Sequence, residues 1–297
     1  MSFLSVALLC ANFQSSFSLA ELAVKLEEHY KRPVFIGVSK VQNKVTGITF
    51  PAKLDDLNDE LKKNMLRLVP GDALMITDEE LSHQEMLGIS LPPVDIDFDI
   101  KDGKVAAKST KDPGFGVVEV AKMGWRKKVN LPWFLNGSLI TISAKTMLED
   151  DFVRSVALSH GCYARQTPEE WTFTMTPDEF RRRLIKTIER SKNPAIVSRK
   201  DYFLAAINSL PNSALTKAMA TKGDIQEIKL APNAPVIRAG LATLKKLMGA
   251  NADKLDRLSF DKTRQMKLQY QTPLSFRLSI PVFDSENPTD KSEIIVQ

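Results

Sequence analysis

Arg181, Arg182, Arg183, Lys186 and Arg190 recur on one predicted helix, Pro177 to Arg190, whose Phe180, Leu184, Ile185 and Ile188 fall on a single face. Such a helix docks its apolar stripe on a core and turns its guanidinium groups toward solvent. Arginine holds phosphate through paired N–H groups and tolerates partial desolvation, so the chemistry on offer is anion binding, nucleic-acid backbone first. Lys192 lies just beyond, and Arg199 and Lys200 extend the patch. A second cluster runs Lys122-Met123-Gly124-Trp125-Arg126-Lys127-Lys128, with Trp133 following. Cations beside an indole suit stacking on single-stranded bases, which makes Trp125, Arg126, Lys127 and Lys128 candidates. Each cluster also has a plainer account: a solvated helix face for the first, and core-anchoring Trp125 and Trp133 for the second.

Asp95, Asp97 and Asp99 alternate along one strand, so their carboxylates share a face and would suit a divalent ion of the phosphoryl-transfer kind. Lys104 and Lys108 on the returning strand are the competing partners. A calcium loop is excluded, because Ile100 stands where glycine is needed and Ala106 where a bidentate Glu is needed. His160-Gly161-Cys162 ends a predicted helix, where the dipole disfavours a thiolate. His29 and His83 both fall on predicted helices, and His29 has no Cys or Glu at metal spacing. The chain contains no GxxxxGK[ST], GxGxxG, GxSxG or HExxH, so the families that carry those motifs are set aside. No catalytic residue, cofactor or metal is expected.

These residues need elements to hold them. Ser18-Leu19-Ala20-Glu21 is a capping box opening a helix that Pro33 ends, followed by a strand at Val34 to Val38 with Val45 to Phe50 as its hairpin partner. Leu54, Leu57, Leu61 and Leu68 mark a second helix, and Thr77-Asp78-Glu79-Glu80 opens a third that stops at Gly88. Val94 to Ile100 alternates as a strand, Asp102-Gly103 turns, and Lys104 to Lys108 returns. Val117 to Ala121 and Ser138 to Ser143 read as further strands. Thr146 opens a helix with Gly161 as its stop, and Thr167-Pro168 and Thr176-Pro177 read as further helix starts. From there to Leu258 the pattern is mainly helical, and Gln265 to Gln271 and Leu274 to Phe283 close the chain as strands before a polar tail. The fold class is α+β: an N-terminal mixed α/β sheet region over 1–145, then a mainly helical basic region over 146–297 with a closing C-terminal strand pair. The closing strands can pair back onto the first sheet, which would make the two regions one continuous domain.

Charge divides along the same line. Between Trp171 and Tyr270 there are 19 Lys+Arg against 9 Asp+Glu, and elsewhere 22 against 27, so the net +5 comes from a basic second region. That balance favours a polyanionic partner. Two cysteines, Cys10 and Cys162, exclude a disulfide framework and a four-Cys zinc site, and fit a reducing cytoplasmic or intracellular setting. The apolar run Phe3 to Ala11 has no basic residue before it, the first being Lys25, so it reads as a buried segment and not as a secretory signal. No stretch reaches transmembrane length. The class these features favour is a non-enzymatic nucleic-acid-binding structural or packaging protein, single-stranded RNA before DNA, of the self-associating kind that viruses encode. The alternatives are a matrix or assembly protein whose basic face meets anionic membrane, and a metal-dependent phosphoryl-transfer enzyme using Asp95, Asp97 and Asp99.

Overall fold

The computed structural model describes residues 16–39, 44–81, 96–109, 115–117, 120, 126–271, 274–286, 289 and 291–297. The Phe3 to Ala11 run, His83, Asp95, Trp125 and most of the helix expected to stop at Gly88 lie outside them. The elements run β1 (Ser16–Phe17), α1 (Leu19–Tyr30), β2 (Val34–Val38), β3 (Val45–Thr46), α2 (Leu54–Lys62), β4 (Arg67–Val69), β5 (Leu74–Thr77), β6 (Ile96–Lys101), β7 (Lys104–Ser109) and β8 (Phe115–Gly116). Next come β9 (Lys128–Asn130), β10 (Leu139–Leu148), α3 (Glu149–Ser159), β11 (Tyr163–Gln166), β12 (Glu170–Thr174), α4 (Pro177–Arg190) and α5 (Pro194–Val197). The chain closes with α6 (Lys200–Ser209), α7 (Asn212–Ala220), β13 (Ile225–Leu230), α8 (Pro235–Met248), α9 (Asp253–Asp256), β14 (Leu258–Phe260), β15 (Met266–Gln271), β16 (Ser275–Asp284) and β17 (Lys291–Val296). This is an α+β fold, as the patterning predicts.

The first sheet has the order β4-β5-β2-β10-β7-β6, with β8 also on β10. All five residues of β2 are buried, so it is a central strand between β10 and β5. The expected hairpin from β2 to Val45 is therefore absent; Val45 and Thr46 pair with β1 instead. A strand without solvent-facing residues takes partners on both edges, and a continuous apolar run such as Val34-Phe35-Ile36 carries that signature. α1 covers one face through Leu19, Leu22 and Leu26, held at its start by the expected reciprocal Ser18–Glu21 bonds of 3.2 and 2.9 Å. α3 covers the other, where Phe152 meets Phe35 edge-on at 5.2 Å. β6 and β7 form the predicted hairpin across Asp102 and Gly103, both at positive φ, the geometry a tight two-residue turn requires.

Several expectations are corrected. α2 stops at Lys62, and Leu68 sits in β4. Thr77 ends β5, and Glu79 at φ 67 breaks any helix there. Thr146 lies within β10, which runs on to Leu148 before α3 begins. Thr167-Pro168-Glu169-Glu170 is a turn between β11 and β12, closed by Thr167 N–H donating to Glu170 O at 2.8 Å. The period-2 alternation of buried Trp171 and Phe173 overrides the local helix-start signal. The tail contains β17, whose Ile294 and Val296 are buried against β16. β15 and β16 do not return to the first sheet; they centre a separate five-stranded sheet with β13, β14 and β17. One apolar cluster nevertheless runs from Phe35 and Phe152 through Trp171, Phe180 and Tyr202 to Leu268 and Leu278. That cluster and β10 both cross position 145.

At the C-terminal end of α3, His160 packs so close to β2 that a Cβ on Gly37 would lie 2.9 Å from its ring and 2.3 Å from Ser159 O. Glycine is the residue that this approach allows. The ring is buried; Nε2 lies 3.1 Å from Leu139 O, and Nδ1 lies 3.1 Å from the Ser159 hydroxyl. Nδ1 also lies 3.0 Å from Val156 O, so a neutral ring, with one N–H, serves only one of the two carbonyls. Burial pushes the imidazole down to about 4. An unfolded histidine titrates near 6.5, so below that pH the unfolded chain binds the extra proton and stability is lost as pH falls from about 6.5 toward 4. We expect wild-type unfolding free energy, from urea titrations, to drop by about 2 kcal/mol between pH 7 and pH 5 through this group. His160→Gln should lose that difference. Asp78, whose carboxyl burial raises, acts in the opposite sense but is common to both proteins and cancels in the comparison. An unchanged pH slope in the variant would refute the assignment.

Candidate nucleic-acid interface

α4 begins as predicted, with the Thr176 side chain accepting from Glu179 N–H and Pro177 in the first turn. Its Phe180, Leu184 and Ile188 are buried in the shared core. Burying each contributes about 1.5–3 kcal/mol. The arginines do not simply face water. Arg183 is only 3% exposed: Nε donates to Glu179 Oε1 at 2.9 Å, Nη2 to Thr77 Oγ1 at 2.9 Å, and Nη1 to Glu80 O at 3.1 Å. Arg182 donates to Glu79 and Glu179, each at 2.7 Å. Arg190 donates to Asp78 O at 2.8 Å and lies 3.4 Å from Glu80. Arg67, at the start of β4, adds contacts of 3.0 Å to Glu79 and 3.5 Å to Glu179.

Four guanidinium groups thus share the Glu79, Glu80 and Glu179 carboxylates and the carbonyls of the 78–80 loop. Burial would raise the Glu179 carboxyl, but the bonded Arg182 and the adjacent Arg183 charge hold it below the usual glutamate value. Gly161, at φ 69, completes the packing, since a Cβ there would stand 2.6 Å from Arg183 Nη2. Of the remaining candidates on this side, Arg181 donates to Ile207 O and to Asn212 at 2.7 Å. Lys186 pairs with Glu189 at 2.9 Å. Lys192 is exposed and has no ion pair among the described residues.

The second cluster lies elsewhere. Arg126 pairs with Glu149 at 3.2 Å. Lys127 Nζ donates to Thr167 O at 3.0 Å and stands 5.9 Å over the Trp171 ring. Lys128 opens β9 and is exposed, with no ion pair among the described residues. Trp133 is half-buried and donates through Nε1 to Ala218 O at 3.1 Å, which fits the core-anchor account.

β9 joins β12 and β11 in a three-stranded sheet. Trp171 and Phe173 point into the core, so register places Tyr163, Arg165, Thr172, Thr174, Asn130 and Lys128 on the outer face. Tyr163 is 58% exposed, the most exposed aromatic ring among the described residues, and Arg165 lies two positions along the same strand. Tyr163 and Arg165 escape a sequence reading because Thr167-Pro168 masks the hairpin; the alternation of Tyr163, Ala164 and Arg165 is the signal that would have found them.

The acidic strand gives less. Asp97 stands opposite Lys108 and Asp99 opposite Ala106, beside a groove of about 510 Å³ that Glu27 and Glu28 also line. Among the described residues no three His, Cys, Asp or Glu side chains are placed to hold a metal ion. Cys162 is buried and its thiol is pushed up to about 12 by desolvation, so at neutral pH it is no nucleophile. No helix of the described residues is long and apolar enough to cross a membrane. Comparison of the chain with protein-family models, with curated proteins and with solved structures gives no match.

The geometry separates the two kinds of cation experimentally. Arg183→Ala should cost about 2–5 kcal/mol of unfolding free energy, because it removes the donor to the buried Thr77 Oγ1 and Glu80 O and opens a cavity, although Glu179 keeps Arg182. Lys192→Ala should change stability by less than about 0.5 kcal/mol. Urea titration at neutral pH measures both, and an Arg183→Ala protein within 1 kcal/mol of wild type, the range of an exposed pair, would show that the contacts around Arg183 are incidental.

Proposed function

We propose that the protein is a non-enzymatic nucleic-acid-binding protein of structural or packaging type, and that single-stranded RNA meets it on the outer face of the β11-β12-β9 sheet. The observation that carries this reading is the exposed Tyr163 ring with Arg165 beside it on the same strand face and Lys128 at the far corner of that face, neither cation having an ion pair among the described residues. An exposed aromatic ring with cations on the same strand face is the arrangement on which bases stack while phosphates are neutralised. Thr172, Thr174 and Asn130 supply hydroxyl and amide groups on that face, and Glu170 is its single acid, already engaged by Asn130 at 2.6 Å. Lys127, Arg126 and Lys192 serve as outlying phosphate contacts. The α4 arginines support the reading less, since most of their donors are taken.

Fluorescence anisotropy with a labelled single-stranded RNA tests this directly. Affinity should fall as salt rises, and Lys128→Glu with Arg165→Glu should reduce the salt slope by roughly two. Tyr163→Ala should weaken binding by roughly 1–3 kcal/mol while leaving the melting temperature unchanged, because the ring is exposed. Wild-type affinity for RNA in these variants would remove this face from consideration.

A further inference from the structure

We propose that the cavity at the turn end of the C-terminal sheet binds a single nucleotide with an amino-bearing base. The cavity encloses about 420 Å³, within the range of roughly 300–1,000 Å³ typical of small-molecule sites. Its lining takes in the buried Phe203 and Phe276 from the core side of the sheet, together with Leu274 and Ile225, which is 61% exposed. Register sets the polar groups. Gln271 lies opposite both Ile225 and Ser275, and Gln269 lies opposite Arg277, so all five share the outer face of the sheet.

The two glutamine amides are oriented by bonds to their neighbours: Gln271 Nε2 donates to Gly223 O at 2.8 Å, and Gln269 Nε2 to Glu227 at 3.3 Å. Each amide therefore keeps its Oε1 as an acceptor. The Arg277 side chain is exposed and makes no hydrogen bond or ion pair with another described residue. The site thus combines a free guanidinium, a hydroxyl, two acceptor oxygens and aliphatic side chains, with Gln297 also in its lining.

A carboxylate brings acceptors only, and inorganic phosphate, with one or two P–OH donors on a compact ion, cannot reach Arg277 and both amide oxygens together with the aliphatic side chains. An adenine or cytosine exocyclic amine supplies the missing donors. The base ring would lie against Ile225 and Leu274, and its phosphate would take the Arg277 fork. Uracil, with carbonyls in place of the amine, satisfies the amides less well. The inference does not rest on the strand-binding reading: its probe is a mononucleotide and its variant lies on another sheet, so either can fail alone.

Isothermal titration of the full chain with AMP, CMP, UMP and inorganic phosphate tests it. AMP and CMP should bind, with UMP and phosphate at least about tenfold weaker, and Arg277→Gln should weaken AMP by at least about tenfold at unchanged melting temperature. If Arg277→Gln also weakens a single-stranded oligonucleotide, the nucleotide belongs to a strand; if it weakens AMP alone, the ligand is free nucleotide. Failure of AMP and CMP to bind, equal binding of AMP, UMP and phosphate, or an AMP affinity that Arg277→Gln leaves intact would each overturn the proposal.

Discussion

The Arg183 guanidinium is a permanent charge almost wholly removed from water, and the surrounding architecture follows from the need to satisfy it. Isolated charge in a low-dielectric interior is costly, and it persists only where partners and hydrogen bonds offset the lost hydration. Glu179 supplies the counter-charge from one turn earlier on α4, and Thr77 and Glu80 O supply acceptors from the end of β5. For these groups to meet, α4 must lie across the C-terminal end of β5. α3 must also end at a residue without a side chain, which is Gly161. The contacts around Arg182, Arg190 and Arg67 extend the same junction, so the charged cluster and the apolar one beneath it tie together the stretches on either side of position 145.

This changes what the charge distribution means. The excess of cations after Trp171 is real as a count, but a share of it is spent inside the molecule on acids from the first half of the chain. What remains for an external anion is set by which cations lack partners. Lys128 and Arg165 on the small sheet, Lys192 after α4 and Arg277 on the C-terminal sheet are among those that meet that condition within the described residues, as do Arg238, Lys246 and Lys262. The two proposed binding surfaces follow from that inventory, and they use groups that the fold does not need. Exposed residues can be optimised for a partner, whereas Arg183 cannot be altered without loss of stability.

Features that the sequence makes legible are those whose physics is local. The Ser18 capping box, the Asp102-Gly103 turn, the Thr176 cap and the Gly161 stop each depend on residues within four positions of one another. Leu184 and Ile188 reveal the buried side of α4 by the same short-range logic. What stays hidden depends on distant partners. Arg182 meets Glu79 across 103 positions, and Trp133 meets Ala218 across 85. A solvated arginine face and an internally paired one have the same local pattern. Where local and tertiary signals conflict, as at Thr167-Pro168, the buried alternation of Trp171 and Phe173 decides. Tyr163 and Arg165 stay hidden for that reason, whereas Lys128 is legible as a cation though not as part of a sheet.

The central claim is that the basic helix holds the fold together through charge pairs with the 78–80 loop. A double-mutant cycle between Arg182 and Glu79, read by urea unfolding at neutral pH, tests it most directly. Arg182→Met, Glu79→Gln and the double variant isolate the pair from each residue's other contacts. The account predicts a favourable coupling of about 1 kcal/mol or more. A coupling within about 0.3 kcal/mol of zero, the behaviour of independent sites, would contradict it.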